Sequence, residues 1–145
     1  MTTYKEVLRP SIWTYVAALF LLPTVVLVCA PFNLVLGIVL AVILYAVVVG
    51  TILFTAPTIE LTQTQLRVGR AHIDRKFLGS ATGYAGSHAV AERGVNLNAN
   101  AYVLFRGMIN PVVRVTVNDP NDPTPYWLFS TRNPEALVKA LSSGK

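Results

Sequence analysis

Between Pro10 and Ile59 the sequence has no Asp, Glu, Lys or Arg, although that interval is about a third of a 145-residue chain. Charge is scarce throughout: 13% of residues are charged, where about 25% is ordinary for a soluble domain. There is one cysteine, Cys29, so no disulfide framework can form within the chain. The two histidines, His72 and His88, fall short of the three or four ligands a zinc site needs. Nine glycines and nine prolines are too few for a collagen-like or low-complexity chain. No P-loop, dinucleotide fingerprint or G-x-S-x-G elbow occurs, which removes the common phosphate-binding and serine-hydrolase motifs.

What is present is apolar, 53% of the residues, and most of it is concentrated in the uncharged interval. Ser11 to Ala30 and Leu34 to Ala56 are hydrophobic runs. At about 1.5 Å per helical residue, a run of about 20 residues crosses a hydrocarbon core of about 30 Å. Pro31-Phe32-Asn33 between them reads as a turn, so residues 11–56 are predicted to form a transmembrane hairpin with helices over 11–30 and 34–56. A cleaved signal peptide is the competing reading for the first run. That run exceeds the usual 7 to 15 apolar residues, and a second one follows at once. Lys5 and Arg9 precede the first helix and Arg67, Arg70, Arg75 and Lys76 follow the second, while the tip has no basic residue. The positive-inside rule then places both termini in the cytoplasm and the protein in the plasma membrane as a multi-pass chain. Trp13, Tyr15 and Phe32 sit where interfacial anchors are expected, and Pro23 is a candidate kink. Neither span holds an Asp, Glu, Lys, Arg or His, which counts strongly against a pump, a proton channel or a voltage sensor.

Residues 1–10 read as a short cytoplasmic segment, and residues 57–145 as one small domain. Ile59, Leu61, Leu66 and Val68 alternate with polar residues, predicting two short strands or one strand interrupted around Thr64-Gln65, with a turn at Gly69-Arg70. Ala71 to Phe77 is predicted as the next strand, and Gly79, Gly83 and Gly86 are expected to break up the segment after it. Ser87 to Asn100 reads as a short helix ended by Gly94 and then an Asn-rich loop. Ala101 to Phe105, Val112 to Val117 and Tyr126 to Ser130 have strand composition, the last two joined by the Asn118–Pro125 loop as an antiparallel pair. Asn133 and Pro134 open a helix over 134–142 with Leu137, Val138 and Leu141 on one face. The expected fold class is an α+β membrane protein: a two-helix hairpin, then a small antiparallel sheet or barrel with a C-terminal helix.

The order of elements resembles bacterial pleckstrin-homology-like (PH-like) domains that follow a transmembrane hairpin. The residues carrying the likeness are Ile59-Glu60-Leu61-Thr62, Leu66-Arg67-Val68-Gly69 and Phe129-Ser130-Thr131-Arg132-Asn133-Pro134-Glu135-Ala136-Leu137. More closely, the chain is similar to an actinobacterial family of membrane proteins known as a domain of unknown function. That likeness rests on Tyr4-Lys5-Glu6, Leu66 to Ala71, Phe77-Leu78-Gly79 and Asp119-Pro120-Asn121-Asp122-Pro123-Thr124-Pro125-Tyr126-Trp127-Leu128. It implies an architecture and supplies no catalytic residues.

Chemistry is thin. His72 alternates with Ile73 and reads as a surface residue. Asp119 and Asp122 form a close acidic pair, which Asx-turn chemistry in a proline-rich loop explains better than a metal. Arg67, Arg70, Arg75 and Lys76 follow the second span, and each basic group near an anionic leaflet is worth roughly 1 kcal/mol. Positive-inside topology and solvation account for the same residues. Tyr126 and Trp127 point to opposite faces of a strand, so one is expected in the core and the other at an interface. Nucleic-acid binding lacks a reading helix or stacking motif. The expectation is a non-enzymatic, membrane-anchored accessory or scaffold protein that needs no cofactor and no metal. Its cytoplasmic domain would bind a protein partner, in a membrane complex or homo-oligomer, through Arg67, Arg70, Arg75, Lys76, Tyr126 and Trp127. The alternative is that the same domain binds anionic lipid headgroups.

Overall fold

The computed structural model describes residues 2–143; Met1, Gly144 and Lys145, the outer ends of the first and last segments assigned from the sequence, lie outside them. The chain divides into two units. One is Arg9–Ala56; the other combines the residues up to Leu8 with those from Pro57 onward.

The Arg9–Ala56 unit holds the two long apolar helices. The first runs from Ile12 to Cys29 and is interrupted once, giving α1 (Ile12–Leu19) and α2 (Leu21–Cys29). The interruption at Phe20 lies three residues before Pro23, whose ring crowds the carbonyl one turn back and which has no N–H to donate. Phe20 closes the turn with a tighter bond to the Ala17 carbonyl, 3.2 Å. The second helix, α3 (Leu34–Phe54), is opened by Asn33, whose Oδ1 accepts the Leu36 N–H at 3.1 Å. α2 and α3 pack closely at the turn end because Gly37 and Ala41 are small residues one turn apart. A Cβ on Gly37 would lie 2.9 Å from the Cβ of Cys29. Many of the other long side chains are exposed, Leu27 by 76% and Val35 by 70%, and both helices are long and apolar enough to cross a membrane.

The second unit consists of two four-stranded sheets. The first has the order β1 (Thr2–Val7), β2 (Thr58–Thr62), β3 (Gln65–Val68), β4 (Ala71–Asp74), all antiparallel. The N-terminal segment, read from the sequence only as a short lead-in, is thus a full strand. Its Val7 stands opposite Thr58 and Glu6 opposite Ile59. Leu8 then donates its N–H to the Pro57 carbonyl at 2.9 Å, so the helices are inserted between two hydrogen-bonded neighbours of one sheet.

A single 3-10 turn, Arg75–Phe77, carries the chain around the corner, ending the strand expected over 71–77 at Asp74. The second sheet has the order β5 (Leu78–Tyr84), β7 (Val112–Val117), β8 (Tyr126–Ser130), β6 (Tyr102–Leu104). β5 runs as one strand through Gly79 and Gly83, where breaks were expected, though its pairing with β7 shifts register between Leu78 and Ala81, around Gly79; both glycines serve close approach. A Cβ on Gly79 would meet Thr116 Oγ1 at 2.1 Å, and one on Gly83 would meet Pro134 Cβ at 3.0 Å. β6 pairs with β8 in parallel, so the domain is mixed rather than purely antiparallel. This orientation follows from residues 105–111, which pass over the end of β8 to reach its far side. Arg106 N–H bonds Ser130 Oγ at 3.1 Å and Thr131 N–H bonds the Pro111 carbonyl at 3.1 Å along that crossing.

The sheets face each other across one core containing Leu8, Ile59, Leu61, Leu66, Val68, Val113, Val115, Trp127 and Phe129, closed by Leu137 and Leu141 of α5 (Pro134–Ser142). The outer face of the second sheet packs Val112, Tyr126 and Leu128 against Ala89 of α4 (Gly86–Arg93). Asn133 occupies the N-cap position of α5, but its side chain makes no capping bond. Its backbone N–H instead donates to Thr131 Oγ1, 3.2 Å.

Glu6 ties β1 to that junction. Its carboxylate accepts from the Tyr4 hydroxyl at 2.9 Å, from Thr131 Oγ1, and from the Arg132 N–H at 2.8 Å. Burial, then the hydrogen bond and charge of Glu6, hold the Tyr4 hydroxyl above its usual pKa, so it stays a donor at neutral pH. Replacing Glu6 by Ala leaves three donors without their acceptor and is expected to cost about 2–3 kcal/mol. Denaturant unfolding of the full-length protein in detergent, followed by Trp127 emission in a Trp13→Phe background, measures this; an unchanged midpoint would contradict it.

Candidate functional site

The six residues singled out from the sequence do not form one surface. Tyr126 and Trp127 are both buried, 3% and 5% exposed, so neither is the exposed docking handle expected of one of them. The reason is that β8 lies between β7 and β6 with both of its faces covered. Trp127 enters the core between the sheets, with its ring 4.8 Å from that of Tyr102. Tyr126 enters the outer cluster, where its hydroxyl accepts the Asn98 N–H at 2.7 Å and the Arg114 guanidinium covers its ring at 4.0 Å.

Arg75 is also committed to the fold. Its guanidinium donates to the Thr62 carbonyl at 3.2 Å and to the Ala140 and Leu141 carbonyls at 2.8 and 3.1 Å, satisfying the last turn of α5. Lys76 is exposed beside Asp74, 3.8 Å away, and over the Phe77 ring. Arg67 is exposed on the outer face of the first sheet, in a cross-strand row Lys5, Glu60, Arg67, His72 that alternates positive and negative along its first three members. Arg70 stands in the turn at one end of β4, whereas Arg75 and Lys76 follow the other end. Four residues of extended strand, about 3.3 Å each, keep the two groups apart.

The other charged side chains with defined partners brace structure. Glu92, 6% exposed, accepts from Arg114 at 3.3 Å and from Asn96 Nδ2 at 3.0 Å. Asp119 and Asp122 each accept a backbone N–H two residues on, from Asn121 and Thr124, both at 2.9 Å. The Thr124 hydroxyl and N–H hold the Asp122 carboxyl below its usual pKa. Among the described residues no three His, Cys, Asp or Glu side chains gather as a metal site would require. The clefts are modest. One of about 400 Å³ lies between β5 and α5, lined by Gly83, Tyr84, Pro134, Val138 and Lys139 among others. A smaller polar one of about 210 Å³ is lined by Ser80, Thr82, Tyr84, Arg114 and Thr116.

One end of the β unit does gather exposed residues of complementary character, and it is the end where the chain passes to and from the apolar helices. The Gly69 N–H donates to the Thr58 carbonyl at 2.8 Å, which sets the Gly69-Arg70 turn beside Pro57. Gly69 has φ +62°, and a Cβ there would lie 3.5 Å from Leu104 Cδ2 and 3.8 Å from Pro57 Cβ. Leu104 therefore ends β6 at this same place, and the chain runs on into Phe105-Arg106-Gly107-Met108. Arg93 at the end of α4 braces that loop by donating to the carbonyls of Ile109 and Asn110, the latter at 2.7 Å, and it covers the Phe105 ring at 5.3 Å. Burial lowers the Arg93 pKa, which still leaves it a cation at neutral pH. Sequence reasoning named Arg70, and Arg106 among the other basic residues, but missed Phe105 and Met108. The signal available was an Arg-Gly pair flanked by two large apolar residues just outside a strand.

The fold and this end define a class: a two-sheet β domain with a pair of long apolar helices spliced into its first sheet. Residues 3–141 match the family described as "Protein of unknown function (DUF3093)", and the chain belongs to that family. No curated protein and no solved structure matches the chain.

The different roles of adjacent basic residues are measurable. Arg75→Gln is expected to destabilise the protein by about 1–3 kcal/mol, because it strips two carbonyls in the last turn of α5. Lys76→Gln is expected to cost under about 0.5 kcal/mol. Thermal unfolding of the two variants side by side decides this, and equal midpoints would refute the assignment.

Proposed function

We propose that this protein is a non-enzymatic accessory or scaffold protein whose helical pair spans the plasma membrane. Its β unit, PH-like as the resemblance to the actinobacterial family implies, is offered to a protein partner on the cytoplasmic face. The observation that carries this reading is the splice itself. With Leu8 bonded to Pro57, both chain connections leave the domain at one point, so an anchor there tethers the whole sheet with almost no slack. Spans of 18 and 21 apolar residues with exposed side chains support insertion in a bilayer. A signal peptide fits poorly, because cleavage after the first helix would strip β1 from its sheet and Glu6 from Thr131. The PH-like reading is supported by facing sheets closed by a C-terminal helix; the parallel β6 and the strand contributed from before the helices depart from the simplest form of that pattern.

The non-catalytic reading is supported by how the charged groups are used: Glu6, Arg75, Glu92, Arg93 and Arg114 all brace the fold. Tethering raises the local concentration of the domain toward partners in the same membrane. The charged row on the first sheet, with Arg67 exposed, is the surface proposed for a protein partner.

Two measurements test this. In a Cys29→Ala background, Phe32→Cys should react with a membrane-impermeant maleimide in intact cells, whereas Gln63→Cys should react only after lysis; the reverse pattern refutes the topology. Full-length protein purified from its native membrane in mild detergent should carry a defined partner whose recovery falls when Arg67 is changed to Glu. Partner recovery indifferent to that reversal removes the first sheet as the contact face, and recovery of the chain with only itself makes the assembly a homo-oligomer.

A further inference from the structure

The loop at the helix-bearing end of the β unit is held by hydrogen bonds in a shape that exposes apolar groups. Ile109 N–H donates to the Arg106 carbonyl at 3.2 Å, closing a turn with Gly107 and Met108 at its centre. Met108 has φ +68°, a left-handed conformation that costs a residue with a Cβ on the order of 1 kcal/mol. The side chain so placed is 70% exposed, and Phe105 is 38% exposed. This is not slack chain. Ile109 is buried, the Arg106 N–H is bonded to Ser130 Oγ, and Arg93 grips the Ile109 and Asn110 carbonyls. Arg70 projects from the turn beside Pro57, and the Arg106 side chain is half-buried on the loop itself. Because Leu104 lies beside Gly69 and Pro57, this loop begins at the end of the domain where the chain leaves for its helices, the end that also carries Arg70.

We infer that this end of the β unit docks on the bilayer surface, with Met108 and Phe105 entering the boundary between headgroups and acyl chains and Arg70 and Arg106 meeting the phosphates of anionic lipids. The inference rests on the membrane-spanning reading proposed above. The occupant follows from chain reach. Only Arg9, Pro10 and Ser11 separate Leu8 from the first helix, and only Thr55 and Ala56 separate α3 from Pro57. At about 3.3–3.6 Å per residue, a bilayer holding those helices lies on the order of 10–15 Å from Leu8 and Pro57 at most. No other surface is so constrained to meet this loop. Apolar side chains flanked by arginines suit that boundary, where the hydrocarbon edge and a negative leaflet lie within a few ångströms of each other. Docking would hold the domain in one orientation and turn the charged row of the first sheet into a surface of defined direction.

The test uses full-length protein, Cys29→Ala, in nanodiscs of phosphatidylglycerol and phosphatidylcholine or of phosphatidylcholine alone. A bimane label is attached at Met108→Cys, at Gln63→Cys in the β2–β3 turn, or at Val42→Cys in the middle of α3. Lipids brominated near the headgroup end of the acyl chain serve as quencher, with mid-chain bromination for Val42. Expected is quenching at Met108→Cys in the anionic discs, much less in neutral ones, and none at Gln63→Cys in either. Adding Arg70→Glu or Arg106→Glu should lower the docking equilibrium by at least roughly fivefold each, an effect that 0.5 M salt reproduces in part. A silent Met108 label beside a quenched Val42 label overturns docking and leaves the membrane reading standing. An unquenched Val42 label overturns both. Quenching at Met108 that ignores lipid charge and both arginine reversals, or that appears equally at Gln63, also overturns the inference. Should Met108→Cys fail to fold, Phe105→Cys carries the same label and is read in the same way.

Discussion

The hydrogen bond from Leu8 to Pro57, and the β1–β2 ladder it continues, is the constraint on which the rest depends. Two long apolar helices separate these strands in the chain, yet the strands are neighbours in one sheet. Closing so long a loop costs entropy that grows only logarithmically with its length. The helical hairpin reduces even that cost, since packing of α2 on α3 around Gly37 and Ala41 already brings its two ends back together. The sheet therefore gains its first strand from before the hairpin, and through Glu6 that strand reaches across to the start of α5.

From that closure comes the layering of the domain. β1 to β4 supply one wall of the core, the 3-10 turn at Arg75 redirects the chain, and β5, β7, β8 and β6 supply the other. Arg75 itself joins the corner to the last turn of α5, so a residue that looks like part of a basic cluster is a structural clamp. Arg93 has the same character on the other side, where it holds the crossing segment that turns β6 parallel to β8. Arg75 and Arg93 are both used in this way, as donors to carbonyls that would otherwise be unsatisfied.

The charge left exposed is sorted by the fold rather than by sequence proximity. Arg67 belongs to a cross-strand row, Arg70 to the helix-bearing end, and Lys76 to the opposite end of β4. Gly69, next to Arg70, lies beside Leu104 and Pro57, which brings the start of the 105–111 loop to the same end of the domain as the Gly69-Arg70 turn.

The sequence alone determined the elements whose signal is local. The two apolar helices and the turn at residues 31–33, strands β2 and β3 with the Gly69-Arg70 turn, the antiparallel β7–β8 pair, and α5 were legible from periodicity, proline, glycine and Asx residues within a few positions of each other, whereas α4 was the least legible element. The tertiary structure alone decided what depends on partners distant in the chain. It made a strand of residues 2–7, ran β5 through Gly79 and Gly83 by laying Thr116 and Pro134 against them, set β6 parallel, and buried both Tyr126 and Trp127. The physical reason is the same in each case: a strand's identity and the exposure of its faces are set by which chain lies beside it and over it, and no window of neighbouring residues contains that information.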